Sequence, residues 1–273
     1  MVLNAELICV GNELLIGKVT NTNATWLAQR LTELGAVVRR MQVVGDDLDE
    51  ISSAVRSAVG RRPFMIITTG GLGPTYDDMT TAGVAKALNV GVRIDPEALR
   101  MIETKYRSLS LELTPARTKM ARLPEGGSAL PNPVGTAPGC VVEHSGVRIV
   151  SLPGVPSEMQ AMFSESVVPV LSGASEAFAF KQASVLLGGI HESALAPILD
   201  EVRERNPLAY FKSHPKMSEG RPLIEVHIST RGRDAEAADR VVREGTEDLV
   251  KTVKSHGAQL LSEAQLTGRG EDC

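Results

Sequence analysis

The sequence predicts an α/β protein, a three-layer α/β/α sandwich around a mostly parallel sheet, followed by a small α+β domain. Three observations lead there. Apolar strand-like segments alternate with amphipathic helix-like ones through the first half of the chain, the order that builds parallel sheets. The run Phe64-Met65-Ile66-Ile67-Thr68-Thr69 keeps its apolar residues together without alternation, as a strand covered on both faces does. Beyond about residue 176 the order changes to strand, helix, two strands and one long helix.

In order, a strand is predicted at Leu7 to Val10, a helix at Asn23 to Leu34 ended by Gly35, a strand at Val37 to Val44 and a helix at Asp49 to Val59. The buried strand at Phe64 to Thr69 follows, then helices at Thr80 to Leu88 and Pro96 to Arg107. Pro124 to Gly139 is rich in Pro and Gly and reads as a long shaped loop. Strands Cys140 to Glu143 and Val147 to Leu152 flank a turn at Ser145-Gly146, and a helix from near Ser157 closes a first domain, residues 1–172. Gly173-Ala174-Ser175 reads as a linker. The second domain, residues 176–262, is predicted from strands at Ala183 to Leu187, Leu208 to Ser213 and Leu223 to Thr230 and helices at Glu192 to Arg203 and Asp234 to Ser255. Its order suggests a K-homology-like module. The polar tail, 263–273, is expected to be disordered.

The formal net charge of −4 argues against a general nucleic-acid binder, whose phosphate contacts call for a basic face. A small ligand is expected. Cys9, Cys140 and Cys273 are widely separated and odd in number, which suggests neither a disulfide framework nor a metal-binding pair. No stretch approaches the roughly 18 to 20 apolar residues of a membrane span, and Met1 to Val10 lack the form of a signal peptide. A soluble, cytoplasmic protein is therefore expected. The histidines are scattered, so any metal would rest on carboxylates and water.

In an open α/β sheet, ligands bind beyond the carboxyl ends of the strands. After the first strand comes Gly11-Asn12-Glu13-Leu14-Leu15, with a carboxylate just past a glycine turn; a helix start favouring Glu13 is the plainer alternative. After the buried strand comes Thr69-Gly70-Gly71-Leu72-Gly73-Pro74-Thr75-Tyr76-Asp77-Asp78. Its glycines leave backbone N–H groups free to cradle an anion. The loop is neither a Walker loop nor a dinucleotide fingerprint, and it contains no Lys or Arg. Asp77 and Asp78 would repel a diphosphate unless a divalent metal lay between them; helix capping is the plainer alternative. The third turn, Pro153-Gly154-Val155-Pro156-Ser157-Glu158, has Pro156 and Glu158 where a helix would begin. The loop Asn132-Pro133-Val134-Gly135-Thr136-Ala137-Pro138-Gly139 is expected over the same crevice.

Together, Gly11 to Leu15, Thr69 to Asp78, Gly135-Thr136-Ala137-Pro138-Gly139 and Leu152 to Met159 resemble the competence-damage-inducible protein family. The resemblance runs from Leu3 to about Val170 through a molybdopterin-binding-type domain. Gly189-Ile190-His191-Glu192-Ser193 and the strands after it resemble that family's smaller second domain. The resemblance implies a fold related to molybdopterin adenylyltransferases and an activity like the metal-dependent pyrophosphatase that several members direct at ADP-ribose. Related domains fused to FAD synthases hydrolyse FAD. By this resemblance Gly70, Gly71, Gly73 and Thr75 hold a diphosphate, while Asp77 and Asp78 bind metal or position water. Glu13 is a second carboxylate across the crevice. Lys119 matches a recurring basic position, with an exposed helix lysine as the plainer alternative. Longer members carry a third domain with nicotinamide mononucleotide deamidase activity; the chain ends near residue 273 without it, so that activity is not expected.

The expected function is hydrolysis of the diphosphate of ADP-ribose, FAD or NADH. Catalytic Asp77, Asp78 and Glu13 would work with a divalent cation (Mg, Mn or Co) held by Asp77 and Asp78, with K as an accompanying ion. Gly11, Asn12, Thr69, Leu72, Pro74, Gly135, Thr136, Ala137, Pro153, Gly154, Pro156 and Glu158 would complete the nucleotide site. Binding of a molybdopterin-like pterin, or adenylyl transfer, is the alternative. An RNA or protein adaptor role for the second domain is disfavoured because Leu208 to Pro222 lacks the Gly-x-x-Gly clamp. A homodimer is expected, without stable nucleic-acid or membrane partners. Trp26 and Cys9 are expected in the core and His191 at a helix start.

Overall fold

A computed structural model describes residues 3–174, 179–218, 221–232 and 234–266. The chain divides into two units, the first made of Met1–Thr32 with Ala36–Ser175 and the second centred on Glu176–Cys273.

In the first unit, β1 (Asn4–Val10) leads through the single turn α1 (Asn12–Leu15) to α2 (Thr22–Glu33), and β2 (Val37–Val44) leads to α3 (Leu48–Gly60) and β3 (Met65–Thr69). Next come α4 (Thr80–Leu88), β4 (Val92–Ile94), α5 (Pro96–Ser108), the turn α6 (Pro115–Thr118), β5 (Arg122–Pro124) and β6 (Ser128–Leu130). The unit closes with β7 (Gly139–His144), β8 (Val147–Leu152), α7 (Pro156–Met162), a π-helical turn Phe163–Val167 and α8 (Val168–Ala174). The main sheet has the order β2-β1-β3-β8-β7-β6. Its first four strands are parallel, and β7 runs antiparallel to both β8 and β6.

Connections from β1 to β2 and from β2 past β1 to β3 run in opposite directions, so right-handed crossovers place α2 and α3 on opposite faces. Packing agrees with this. Ile8, Val10, Ile66 and Ile149 form one core with Ile51, Val55, Val84 and Leu88 of α3 and α4. The alternate residues Leu7, Cys9, Met65 and Ile67 are equally buried on the other face, where the Trp26 ring of α2 meets Phe163 edge-on at 5.4 Å. All five residues of β3 are buried, as its unbroken apolar run requires. The register also matters for function. Val10 pairs with Val44, Cys9 with Thr69, and Thr69 with Leu152, so four parallel strands end nearly level and their turns open along one edge.

Several expectations are revised. Ser128–Leu130 lies inside the predicted long loop but pairs with β7 as a short edge strand. Gly173 and Ala174, expected in a linker, continue α8; burial of Leu171 holds that helix despite the cost of a glycine near its end. Ser175 lies outside the described residues.

The second unit comprises β9 (Ala179–Gly188), α9 (Glu192–Arg205), β10 (Tyr210–Ser218), β11 (Arg221–Gly232), α10 (Ala235–Ser255) and β12 (Gln259–Leu266). Its antiparallel sheet has the order β10-β11-β9-β12. That βαββαβ sequence, with β11 set between β9 and β10, is the split βαβ of ferredoxin-like domains and replaces the expected K-homology arrangement. The difference lies in β12, which occupies part of the segment expected to be disordered. A bulge between Leu260 and Ser262 breaks its pairing with β9, and with it the alternation by which a strand is recognised. Residues 267–273, including Cys273, lie outside the described residues. His191 stands at the N-cap of α9 without a side-chain cap bond.

Two predictions follow from charge placement. Glu6 of β1 is 3% exposed, and Arg61 donates to both its carboxylate oxygens, Nε to Oε1 at 2.7 Å and Nη2 to Oε2 at 2.6 Å. Arg61→Met strands a buried carboxylate and is expected to cost roughly 3–5 kcal/mol in denaturant unfolding; a loss below about 1 kcal/mol would contradict that reading. In the second unit Lys216, then Ser184 and His227, hydrogen-bond Glu225 and lower its pKa from 4.5 to about 2. A carboxylate depressed by folding contributes stability that is present above its unfolded pKa and lost as pH falls through its folded one. Acid unfolding should therefore show a loss between pH 4.5 and about 2 that Glu225→Gln lacks; identical profiles would refute the assignment.

Candidate functional site

The level strand ends bring the turns after β1, β2, β3 and β8 to one cleft of about 400 Å³. Gly11 and Glu13 come from the first turn, Asp46 from the second, Gly70 to Thr75 with Asp77 and Asp78 from the third, and Pro153, Gly154, Val155 and Glu158 from the fourth. Thr136 and Ala137 reach it from the 132–139 loop, and Met120 from the segment after α6.

The glycine loop is shaped by its own residues. Gly70 has φ +95° and Gly71 φ +65°, both in the left-handed region that costs a side-chain-bearing residue about 1–2 kcal/mol. Space is also restricted there, since a Cβ on Gly70 would lie 2.3 Å from the Val10 carbonyl oxygen and one on Gly71 2.3 Å from Thr80 Oγ1. The Thr80 hydroxyl, fully buried at the start of α4, donates to the Gly70 carbonyl at 2.7 Å. Leu72 anchors the loop in a second core with Ile102, Tyr106, Met120, Leu123 and Ala137. The N–H groups of Gly71, Leu72 and Gly73 then have no acceptor among the described residues. They are three consecutive free donors on a cleft wall.

The end of the loop concentrates negative charge. Asp78 Oδ2 accepts from the Thr75 N–H at 2.7 Å, and the Thr75 hydroxyl lies 2.5 Å from both Asp77 Oδ1 and Asp78 Oδ2. That hydroxyl has one hydrogen and satisfies one carboxylate at a time. Its hydrogen bond, the Asp77 backbone N–H and the nearby Lys119 ammonium hold the Asp77 carboxyl below the usual carboxylate range. Glu13, Asp46 and Glu158 join these two aspartates in the lining, which includes no Lys or Arg.

The remaining expected residues have other places. Lys119 donates from Nζ to the carbonyl oxygens of Thr75 and, at 2.9 Å, Asp78; it clamps the loop and does not line the cleft. Asn12 exchanges hydrogen bonds with Asp46, its N–H donating to Oδ2 at 2.8 Å and its Oδ1 accepting from the Asp46 N–H at 3.3 Å. Thr69 is buried at the end of β3 and Pro156 opens α7. Gly135 faces a neighbouring cavity and sits under Glu158, whose Oε2 would lie 2.0 Å from a Cβ there. Among the described residues no three His, Cys, Asp or Glu side chains stand close enough to hold a metal unaided.

Asp46 and Asn23 were missed in the sequence, and Asn132 was read only as part of a loop over the crevice. Asp46 follows β2 at the same carboxyl edge, so the strand-end rule applied to that strand would have found it. Asn132 has no such signal, yet its Nδ2 donates to Glu158 Oε2 at 2.7 Å and the Ala137 carbonyl at 2.9 Å, and its Oδ1 accepts from the Gly135 N–H at 2.7 Å. Asn23 of α2 donates to the Gly154 carbonyl at 2.7 Å. Another cavity of about 450 Å³, lined by Met65, Leu130, Val141 and Val150, lies against the sheet face and holds none of the strand-end turns. No helix among the described residues is long and apolar enough to cross a membrane.

Thr80→Val would leave the Gly70 carbonyl buried without its donor and is expected to destabilise the protein by about 1–3 kcal/mol, whereas Thr80→Ser should retain most of the stability. Equal stabilities for the two variants in denaturant titration would show that the hydroxyl does not hold the loop.

Residues 6–173 match the model of the family described as "probable molybdopterin binding domain". A protein of Pyrobaculum arsenaticum is 47% identical over 258 residues, 94% of this chain and 97% of that one, and one of Aeropyrum pernix is 45% identical over 260 residues, 95% and 97%. The crystal structure of the protein CinA with unknown function from Thermoplasma acidophilum is similar to 61% of this chain and 98% of its own, at 46% identity and a TM-score of 0.57. The family model covers residues 6–173, which include every turn of the cleft, and the chain belongs to the molybdopterin-binding-domain family.

Proposed function

We propose that the cleft binds the phosphate group of a nucleotide or a molybdopterin-like pterin, and that a divalent cation enters with it. The observation that carries this reading is the run of free N–H groups at Gly71, Leu72 and Gly73 inside a lining of five carboxylates with no cationic side chain. Donors of that kind suit phosphoryl oxygens. The carboxylates oppose the ligand's charge unless a cation offsets it. A cation such as Mg binds through one or two carboxylates together with water and phosphate oxygens, which fits a site that gathers no three protein ligands by itself. Asp77 and Asp78, brought together at the Thr75 hydroxyl, are the side chains that would hold it. The family's description supports the pterin among the ligands.

A second reading adds hydrolysis of a phosphoanhydride such as that of ADP-ribose, and is favoured by the carboxylates of Glu13, Asp77 and Asp78 lining the cleft beside the free N–H groups. When bound, the cation would neutralise developing charge and acidify a water. With Asp77 and Asp78 holding the cation, Glu13 of the first turn is the carboxylate that would accept the proton of the attacking water, and the loop N–H groups would hold the phosphoryl oxygens.

Calorimetric titration of the protein with ADP-ribose and with a pterin phosphate, in Mg and again in EDTA, tests both readings. Binding should weaken about ten-fold or more in EDTA and in Asp77→Asn, a loss of at least about 1.4 kcal/mol. Equal affinity with and without metal would reject the cation. Release of AMP from ADP-ribose in Mg, absent in Asp77→Asn, would establish hydrolysis; binding without AMP release would leave a binding protein.

A further inference from the structure

Tyr76 is 87% exposed, on the loop whose neighbouring residues Thr75 and Asp77 both line the cleft. An isolated exposed side chain is ordinary, but three features set this one apart. Aromatic residues make up only 3% of the chain, and this ring contributes almost nothing to the fold. Its backbone is fixed: Thr75 is bonded to Asp78, and Lys119 clamps the carbonyls of Thr75 and Asp78 on either side. The cleft lining itself contains no aromatic residue, so its glycines and carboxylates offer a planar ring no surface to stack on.

We propose that Tyr76 is the stacking platform for the planar heterocycle of the ligand, and that the site therefore takes a phosphorylated heterocycle, a purine nucleotide or a pterin, in preference to inorganic diphosphate. This rests on the phosphate-binding reading above. The loop serves both ends of such a ligand, with the N–H groups of Gly71 to Gly73 meeting the phosphate and the ring three residues later meeting the heterocycle. Stacking of one base on an aromatic side chain contributes on the order of ten- to a hundred-fold in affinity and tolerates any flat ring, because every base presents a π-face. The phenol oxygen plays no part, so Phe is an adequate replacement.

The test is titration of the full chain in Mg with three probes: pyrophosphate, α,β-methylene-ADP, which carries a purine and resists cleavage, and hydroxymethylpterin diphosphate. In Tyr76→Ala at least one ring-bearing probe should bind about ten-fold or more weakly than in the unsubstituted protein, with pyrophosphate affinity unchanged and Tyr76→Phe restoring the difference. The ring that responds distinguishes purine from pterin. Undiminished affinity for both ring-bearing probes in Tyr76→Ala, with pyrophosphate still bound, would overturn the stacking role and leave the phosphate site standing. Failure of all three probes to bind the unsubstituted protein would overturn the phosphate site and the stacking role with it.

Discussion

The parallel register of β2, β1, β3 and β8 is the constraint on which the site depends. Pairing of Val10 with Val44 and of Thr69 with both Cys9 and Leu152 makes four strands end together, and the turns that leave them converge because they have nowhere else to go. β1, β3 and β8 are buried on both faces, so a slip of one residue would exchange the side chains that face the two cores. Register is thus fixed by the cores against α3 and α4 on one face and around Trp26 and Phe163 on the other. The chemistry inherits its geometry from that packing.

Within this frame the glycine loop is rigid where it must be and open where it can act. Thr80, Leu72 and Lys119 tie it down from three directions, through a buried hydroxyl, an apolar anchor and an ammonium on two carbonyls. Their combined effect is to keep Gly71 to Gly73 from forming ordinary turn hydrogen bonds. A lysine placed near a suspected phosphate site invites assignment as a phosphate ligand; here it organises the loop, and the charged side chains of the lining are all acidic. That asymmetry, neutral donors beside carboxylates, is the observation on which the proposed sharing of a cation with the ligand rests.

Much of this was legible in the sequence, because strand order, glycine turns and first-turn carboxylates are local signals. Gly11, Glu13, Gly70 to Thr75, Asp77, Asp78, Thr136, Ala137, Pro153, Gly154 and Glu158 do meet in one cleft. What escaped was non-local. The 132–139 loop was expected over the crevice, but no spacing encodes the contact by which Asn132 holds Glu158. Lys119 gains its role from carbonyls more than forty residues away in the chain, 44 for Thr75 and 41 for Asp78. The second unit was misread for a different reason: a bulge in β12 hid a strand, and without that strand βαββα cannot be told from a K-homology arrangement.

The most direct measurement is a crystal structure with Mn and α,β-methylene-ADP, the metal located by its anomalous scattering. One Mn is expected between the carboxylates of Asp77 and Asp78 and the ligand's phosphate oxygens, with those oxygens accepting from the N–H groups of Gly71 to Gly73. A phosphate bound at the cleft with no metal beside it, or a metal and ligand seated elsewhere on the protein, would contradict that expectation.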